Sequence, residues 1–355
     1  THTICYNITI YYTYPMIILG IESSCDDTSV ALLDVSKDKH TILAQKTASQ
    51  IDVHKTYGGV VPEIAGRKHA EAIVPIVENV LQGQPKPEYI AVTSGPGLIT
   101  GLLVGVEVAK TLSYLWNIPL LSINHIEGHI YSPFLEENHA DLVFPALCLI
   151  ASGGHTEYIL MKDHGDYTKL GGTRDDAVGE CFDKVAKLLG LDYPGGPKIA
   201  ALAEHGNKNA IPFPRPMIAS GDYDMSFSGL KTAALYWLRD NTFEDAHITL
   251  EDFCASFQQA IIAVLLKKTE NILSEHTIKT LLLGGGVSAN TQLQTHLSKM
   301  LEKRDQAVQF RFPKKKYCMD NAAMIALAGY FHTKNNNTIP WNDIVANPNW
   351  RVINT

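Results

Sequence analysis

The chain has 355 residues, of which 45% are hydrophobic and 19% are charged, and its formal net charge is −7. This length and composition suit a globular protein with a sizeable core and about two domains of ordinary size. The acidic balance excludes a protein whose whole surface is a nucleic-acid footprint, so a polyanionic partner must be met by a local basic patch.

The six cysteines are far apart and include no C-x-x-C pair, which favours reduced thiols and a cytoplasmic location over a disulfide scaffold. No run of about 18 consecutive apolar residues occurs, so no membrane span is expected. Residues 1–15 contain neither Lys nor Arg and fit neither a secretory signal nor a transit peptide. We expect Met16 to be the natural start and residues 1–15 to be an extension without functional meaning; the alternative is a short extra edge strand.

The first part of the chain predicts a β-meander followed by alternating helices and strands. Apolar runs separated by polar turns predict three strands from Met16 to about residue 50. Apolar residues then recur at helical spacing over 61–81. A strand that runs into a Gly/Pro turn, a second helix and a further strand follow in the stretches "YIAVTSGPGL", "GLLVGVEVAKTLSYLW" and "PLLSINH".

The same pattern restarts near residue 145. Two strands around a Ser/Gly turn, a third strand and an amphipathic helix are predicted by "PALCLIASGGHTEYILMK", "YTKLGGT" and "DAVGECFDKVAKLLGL". A Pro-Gly-Gly loop, helices over 226–240 and 250–275, the strands "TLLLGGG" and "QFRFP", and the late helix "NAAMIALAGYFH" complete it. We therefore predict an α/β protein of two similar lobes, the first formed by residues 16–145 plus 321–355 and the second by residues 146–320.

Three short polar turns follow apolar strands, at Ser23–Asp27, Ser152–Thr156 and Gly284–Asn290. Small residues in such turns let backbone N–H groups approach phosphate oxygens, and ligands collect at strand ends in α/β folds. Each turn alone is better explained as a tight structural turn, but three in repeated positions predict a nucleotide cleft between the lobes. "GGGVSAN" does not match G-x-G-x-x-G, and no P-loop motif occurs, so Rossmann and P-loop proteins are disfavoured. At Asn290 we expect an amide offered to the ribose or base.

The stretch "NHIEGHIYSP" places His125 and His129 four residues apart, on one face of a helix, where they can bind one metal ion. A solvent-facing or internally satisfied pair is the alternative. Glu127 lies midway between them, about 200° around the helix from His125, so the base of a zincin-type peptidase is missing. Two histidines leave a metal under-coordinated, and we expect a distant carboxylate, for which Asp320 is the candidate. The alternative for Asp320 is a plain N-cap of the late helix.

Charged residues elsewhere allow two interpretations. Asp183 follows Glu180 by about one turn of a predicted amphipathic helix and either belongs to a solvated face or faces the cleft. The run Lys314–Lys316 is either a solvated face or a phosphate-contacting patch. Residue patterns do not decide between these interpretations.

Ten stretches together give the chain a family resemblance that extends from Met16 to about residue 350. It resembles the bacterial and organellar TsaD family of tRNA adenosine threonylcarbamoyltransferases. The stretches are, in the family's order, "GIESSCDDTSVALL", "HKTYGGVVPEIAGRKHAEAI", "GPGLITGLLVG", "NHIEGH", "IASGGHTEYI", "FDKVAKLLGLDYPGGP", "FPRPM", "SFSGLKTA", "GGGVSAN" and "CMDNAAMIALAG".

This resemblance implies an actin/Hsp70/sugar-kinase-like fold of two lobes with a nucleotide cleft between them. It also implies transfer of a threonylcarbamoyl group from threonylcarbamoyl-adenylate to N6 of adenosine 37, in tRNAs that read codons beginning with A, with release of AMP. The implied partners are tRNA together with a TsaB-like paralogue and a TsaE-like ATPase, or a second copy of the chain in a homodimer.

Position by position, the resemblance implies that His125, His129 and Asp320 bind one divalent metal ion per subunit, Fe(2+) or else Zn(2+). The positions that it implies for substrate binding are Ile150, Ala151, Ser152, Gly153, Gly154, Asp183, Gly196 and Asn290.

Asp26 and Asp27 in the first polar turn are our candidates for the carboxylate that accepts the N6 proton, because an adenine amine is a poor nucleophile. Two other classes of protein compete with this assignment. A metallopeptidase requires a Glu beside a ligand histidine, which this chain lacks. An ATP-dependent small-molecule kinase of the same fold has no use for a dedicated His/His/Asp site, although fold alone does not fix function.

Overall fold

Two five-stranded mixed sheets organise the chain in the computed structural model, which describes residues 16–36, 39–136 and 142–352. The first sheet has the order β3-β2-β1-β4-β5, in which β1 pairs antiparallel with β2 and parallel with β4. Its strands are β1 (Met16–Glu22), β2 (Asp27–Val35), β3 (His40–Ser49), β4 (Tyr89–Gly95) and β5 (Leu120–Asn124). Residues 1–15, for which an extension was predicted, lie outside the described residues.

The second sheet repeats this topology. Its order is β10-β9-β6-β7-β8, with β6 antiparallel to β7 and parallel to β9, so β6 takes the place of β1. Its strands are β6 (Ala146–Ala151), β7 (Thr156–Asp163), β8 (Asp166–Gly172), β9 (Thr280–Gly284) and β10 (Gln309–Arg311). The duplicated meander predicted from the sequence is confirmed.

Helices follow the strands in both halves. In the first half they are α1 (Ile51–Lys55), α2 (Pro62–Leu81), α3 (Ile99–Trp116) and α4 (His125–Tyr131). Those that come later are α5 (Val178–Leu188), α6 (Gly195–Ala203), α7 (Ser228–Asp240), α8 (Leu250–Glu275), α9 (Thr291–Glu302) and α10 (Ala322–Lys334). No helix in the described part of the chain is long and apolar enough to cross a membrane.

Local sequence explains where these elements begin. Pro62 occupies the first turn of α2, where its missing N–H costs nothing. Helix α8 begins at a capping box in which Thr249 and Asp252 bond each other's backbone N–H groups. The Pro-Gly-Gly segment was predicted to be a loop, and this was wrong in part: Gly195 is the first residue of α6, because the Asp183 carboxylate accepts hydrogen bonds from the free N–H groups at that helix start.

Helix α10 follows the second sheet in the chain but packs against the first. Its backbone reaches β1 at Gly20, where an added Cβ would lie 2.1 Å from the carbonyl oxygen of Ala322. The residues of α10 from Ala322 to Phe331 are buried, so its apolar sequence covers one face of this sheet. This packing fixes the position of Asp320, which immediately precedes the helix cap.

Gly20→Ala should lower the free energy of unfolding by about 3 kcal/mol, because the new methyl group forces α10 away from β1. Gly221→Ala is the matched control, since a Cβ there meets nothing within 4 Å, and it should change stability by no more than about 0.5 kcal/mol. Urea unfolding of the two variants measures both values. Equal unfolding midpoints would show that α10 is not held by this contact.

Candidate metal centre and substrate cleft

The two histidines of "NHIEGH" lie on α4, a short helix that begins directly after β5. Asn124 caps it, since its side chain accepts a hydrogen bond from the N–H of Ile126. His125 and His129 are both buried, and their ring centroids are 4.7 Å apart. The alternative of a solvent-facing pair is therefore wrong.

Asp320 reaches the same point from the other end of the chain. Its Oδ1 lies 3.5 Å from His125 Nε2 and 3.2 Å from His129 Nε2. The alternative that Asp320 caps the late helix is wrong, because Asn321 is the cap and its side chain accepts from the N–H of Met324. The neighbouring asparagine thus leaves the Asp320 carboxylate available to the histidines.

This group of side chains fits a divalent metal ion. Ligand atoms of His125, His129 and Asp320 all lie within 4.8 Å of one another. Both ring nitrogens of His129 are buried without a hydrogen-bond partner, and its approach to Asp320 lacks hydrogen-bond alignment. An unsatisfied buried imidazole is costly unless another group binds it. Two imidazoles and one carboxylate form a donor set that suits Fe(2+) or Zn(2+).

Glu22 orients His125 from the side away from Asp320. Its buried carboxylate accepts hydrogen bonds from the Ser24 N–H at 2.6 Å and the Thr93 hydroxyl at 2.7 Å, and it lies 2.9 Å from His125 Nδ1. Burial opposes ionisation, but the attraction of His125 holds the pKa of Glu22 below its ordinary value. The pairing at Nδ1 leaves Nε2 directed at the metal centre, the usual arrangement for a ligand histidine.

Glu127 faces the opposite side of α4, as predicted. Its carboxylate accepts from the Tyr167 hydroxyl at 2.8 Å and lies 2.8 Å from Nε2 of His332 on α10. Both oxygens are engaged there, so no carboxylate on this helix is placed to activate a water at the histidines. The structure confirms that the hydrolytic base of a metallopeptidase is missing from α4.

The first polar turn lies between β1 and β2, beside Glu22. The Tyr193 hydroxyl donates to Asp26 Oδ2 at 3.3 Å, whereas Oδ1 of Asp27 is buried without a hydrogen-bond partner. Burial raises the pKa of Asp27 to about 7, and repulsion by Asp320, Asp26 and Glu22 adds to this rise. Burial, followed by repulsion from Asp320, also raises the pKa of Asp26.

The second and third polar turns lie side by side, because β6 pairs with β9 and Ile150 is opposite Gly284. Gly153 and Gly154 are exposed, and a Cβ on either would meet nothing within 4 Å. At Gly284, in contrast, a Cβ would lie 2.5 Å from the carbonyl oxygen of His129. The turn after β9 therefore touches the backbone of the metal-centre helix.

The other predicted substrate positions have structural partners. Asp183 Oδ1 accepts from the N–H groups of Gly195 at 2.7 Å and Gly196 at 3.4 Å. The Asn290 side chain caps α9 and donates to Gln258 Oε1 at 2.6 Å. Both of its amide atoms are engaged, so an offer of this amide to ribose or base stays a prediction.

The Lys314–Lys316 run is not a free basic patch. Lys314 and Lys316 form ion pairs with Glu136 at 3.4 and 2.5 Å, and the Tyr317 hydroxyl donates to the same carboxylate. These contacts favour a structural role for two of the three lysines over the phosphate-contacting patch.

Sequence reasoning missed three residues of this region, namely Glu22, His155 and Tyr193. Burial lowers the pKa of His155 to about 4, and the nearby rings of His125 and His129 add to the effect. An acidic residue ending an apolar strand and a histidine after Gly-Gly were local signals for Glu22 and His155. Tyr193 had none, because its partner Asp26 lies 167 residues away.

Two sheets with the same strand order, each with a polar turn after its central strand, form a two-lobed α/β fold of the actin/Hsp70/sugar-kinase-like class. A crystal structure of full-length HypF in the phosphate- and nucleotide-bound form aligns with a TM-score of 0.58 over 92% of this chain and 57% of that chain, at 13% identity. At this identity the likeness shows the fold alone.

The family follows from sequence comparison. A family model described as TsaD, tRNA N6-adenosine threonylcarbamoyltransferase, matches residues 41–327. The enzyme of that name from Bacillus subtilis is 47% identical over 318 residues, covering 88% of this chain and 90% of the relative. The one from Desulfitobacterium hafniense is 46% identical over 329 residues, covering 92% and 94%. The chain belongs to the TsaD family of tRNA N6-adenosine threonylcarbamoyltransferases.

Metal affinity tests the centre and its support. His129→Ala should abolish binding of one Co(2+) or Zn(2+) per chain, and Glu22→Gln should weaken it by about 10- to 100-fold, because the orientation of His125 is lost. Competition with a chromophoric chelator measures both. The exposed Glu107→Gln, which loses only its pairing with Lys110, should bind as the wild type does. Wild-type affinity in Glu22→Gln would contradict the orienting role.

Proposed function

We propose that this chain transfers the threonylcarbamoyl group of threonylcarbamoyl-adenylate to N6 of adenosine 37, in tRNAs that read codons beginning with A. Family membership supports this activity. The observation that carries it is the group His125, His129 and Asp320 beside the polar turns, in which both histidines are buried and one imidazole is unsatisfied. In the reaction the N6 amine attacks the carbamoyl carbon, the bond from that carbon to the AMP phosphate oxygen breaks, and N6 loses a proton.

The resident metal ion of our proposal is Fe(2+), with Zn(2+) as the alternative, held by His125, His129 and Asp320. Such an ion, when bound, supplies Lewis acidity toward a phosphate or carbonyl oxygen. Burial of the two histidines and the support of His125 by Glu22 keep the donor set in place before substrate arrives.

The adenylate side of the cleft is proposed to consist of the turn Ile150–Gly154 with Asp183, Gly196 and Asn290. Open space around Gly153 and Gly154 supports this assignment, since backbone N–H groups there can approach a phosphate without obstruction by a side chain. Asp183 fixes the N-terminus of α6, because its carboxylate accepts hydrogen bonds from the N–H groups of Gly195 and Gly196. Because the acyl group of an adenylate is already activated, positioning is the main task of these residues.

Asp26 and Asp27 are the proposed acceptors of the N6 proton. A base works best when its pKa is near the working pH, and burial raises the pKa of Asp27 to about 7. Asp26 is held by Tyr193 from across the cleft, which supports a role in fixing this turn.

Neither competing function is supported by the structure. Glu127 is bonded to Tyr167 and His332 on the far side of α4, which argues against a metallopeptidase. An ATP-dependent kinase requires phosphate-binding turns but has no use for the His125, His129 and Asp320 group present here.

We propose that tRNA is bound with the help of a TsaB-like paralogue and a TsaE-like ATPase, or of a second copy of the chain. Two observations support the need for a partner in tRNA binding. The chain has a net charge of −7, and Lys314 and Lys316 are already paired with Glu136.

Transfer should depend on pH through Asp27. A proton acceptor must be ionised, so the single-turnover rate should rise as the pH increases through about 7 and level off above it. Asp27→Asn should remove this rise and lower the plateau by about 100-fold, whereas Asp26→Asn should keep the rise if Asp26 serves only to hold the turn. The test is the single-turnover transfer rate with supplied adenylate, measured from about pH 5.5 to about pH 8.5 in steps of about half a unit. An unchanged profile in both variants would remove the aspartates from the mechanism.

The activity itself is tested by incubating the chain, alone and with candidate partners, with threonylcarbamoyl-adenylate and unmodified tRNA. Digestion and mass spectrometry should show threonylcarbamoyladenosine, with AMP formed in equal amount. His129→Ala should form none. Peptide cleavage or sugar phosphorylation without the modified nucleoside would overturn the proposal.

A further inference from the structure

A short loop between α1 and α2, residues 56–61, presents an aromatic side chain to solvent. Tyr57 is 56% exposed, and its ring and hydroxyl make no hydrogen bond or ring contact with the described residues. An exposed tyrosine can be an ordinary surface residue. Tyr57 differs from an ordinary surface tyrosine in the hydrogen bonds that hold its loop and in the residues that surround the loop.

The loop is held from beneath by His54, which is fully buried. Nε2 of His54 lies 3.1 Å from Gln50 Oε1, and Nδ1 accepts from the N–H of Val61 at 3.3 Å. The carbonyl oxygen of His54 accepts from the N–H groups of Tyr57 at 3.0 Å and Gly59 at 3.2 Å. A buried histidine that binds both ends of the loop pre-organises it, so the Tyr57 ring is presented on a defined support.

The loop adjoins residues of the proposed active site. Lys55, the residue just before the loop, pairs with Asp192 at 2.9 Å. Tyr193, which follows Asp192 in the chain, donates a hydrogen bond to Asp26 in the first polar turn. On the other side, a Cβ at Gly58 would lie 3.0 Å from Nζ of Lys187. Lys187 lies on α5, the helix that carries Asp183, and it forms no ion pair with the residues the structure describes. An exposed ring and an unpaired cation thus flank the entrance to the proposed active site.

We propose that Tyr57 is a stacking platform for the base next to adenosine 37 in the tRNA anticodon loop, and that Lys187 contacts the adjoining phosphate. This inference rests on the proposed function. An enzyme that modifies a base must turn it out of its stack, and the neighbouring base then loses a stacking partner. Proteins that bind single-stranded RNA replace such a partner with an aromatic ring and place cations along the backbone.

The test uses an anticodon stem-loop RNA with 2-aminopurine on the 3′ side of adenosine 37, added to the full chain together with any partners needed for transfer. Stacking on Tyr57 should quench the 2-aminopurine fluorescence. Tyr57→Ala should abolish this quenching and raise the Kd and KM for the RNA about ten-fold. The transfer rate at saturating RNA should stay close to that of the wild type, because the chemical groups are untouched.

Two further variants sharpen the test. Tyr57→Trp should retain the quenching and the affinity, since a larger ring also stacks. Tyr236→Ala is the matched control, because Tyr236 is 50% exposed on α7 and should leave RNA binding unchanged. Equal losses in Tyr57→Ala and Tyr236→Ala would overturn the inference.

Other outcomes separate the possible failures. Wild-type quenching and Kd in Tyr57→Ala would overturn the stacking role while leaving the proposed function intact. If Tyr57→Ala no longer binds a partner protein but keeps its RNA affinity, the loop is a protein-docking surface instead. Absence of threonylcarbamoyladenosine with the wild-type chain would defeat the proposed function, whatever the fluorescence shows.

Discussion

The contact between α10 and β1 at Gly20 is the constraint on which the metal centre depends. Asp320 and the two histidines are almost 200 residues apart in the chain, since Asp320 lies 191 residues beyond His129. Only the close approach of the α10 backbone to the first sheet places the carboxylate 3.2 Å from the His129 ring. The absence of a side chain at Gly20 thus allows α10 to lie close enough to the first sheet for the three donor groups to meet.

The metal centre and the cleft share their supports. Glu22 ends β1 and holds His125, while the turn that follows it carries Asp26 and Asp27. On the other side, Gly284 touches the backbone of His129 where the third polar turn begins. Several acidic groups can lie together here because the cost of burying them is offset by nearby imidazoles and backbone N–H groups. Burial, together with repulsion between the acidic groups, raises the pKa of Asp26 and Asp27.

Much of the fold could be predicted from sequence, because buried strands and amphipathic helices leave periodic patterns. The duplicated meander, the helix carrying the histidines and the orientation of Glu127 follow from such local regularity. Local patterns made Asp320 a candidate ligand and gave a signal for Glu22, but they could not show that Asp320 reaches His129 or that Glu22 contacts His125, because these partners are distant in the chain. Asp320 resembled a cap because it precedes a helix, and the adjacent Asn321 is an equally good cap. The pairing of Lys314 and Lys316 likewise required knowledge of where Glu136 lies.

The contrast between Gly284 and the Gly153–Gly154 pair bears on how this site can change over evolution or in the laboratory. A side chain at Gly284 would collide with the carbonyl of His129, whereas side chains at Gly153 and Gly154 would enter empty space. Altered substrate preference is therefore most accessible through the loop after β6. Mutational libraries restricted to that loop should yield folded, metal-competent proteins far more often than libraries that include the turn after β9.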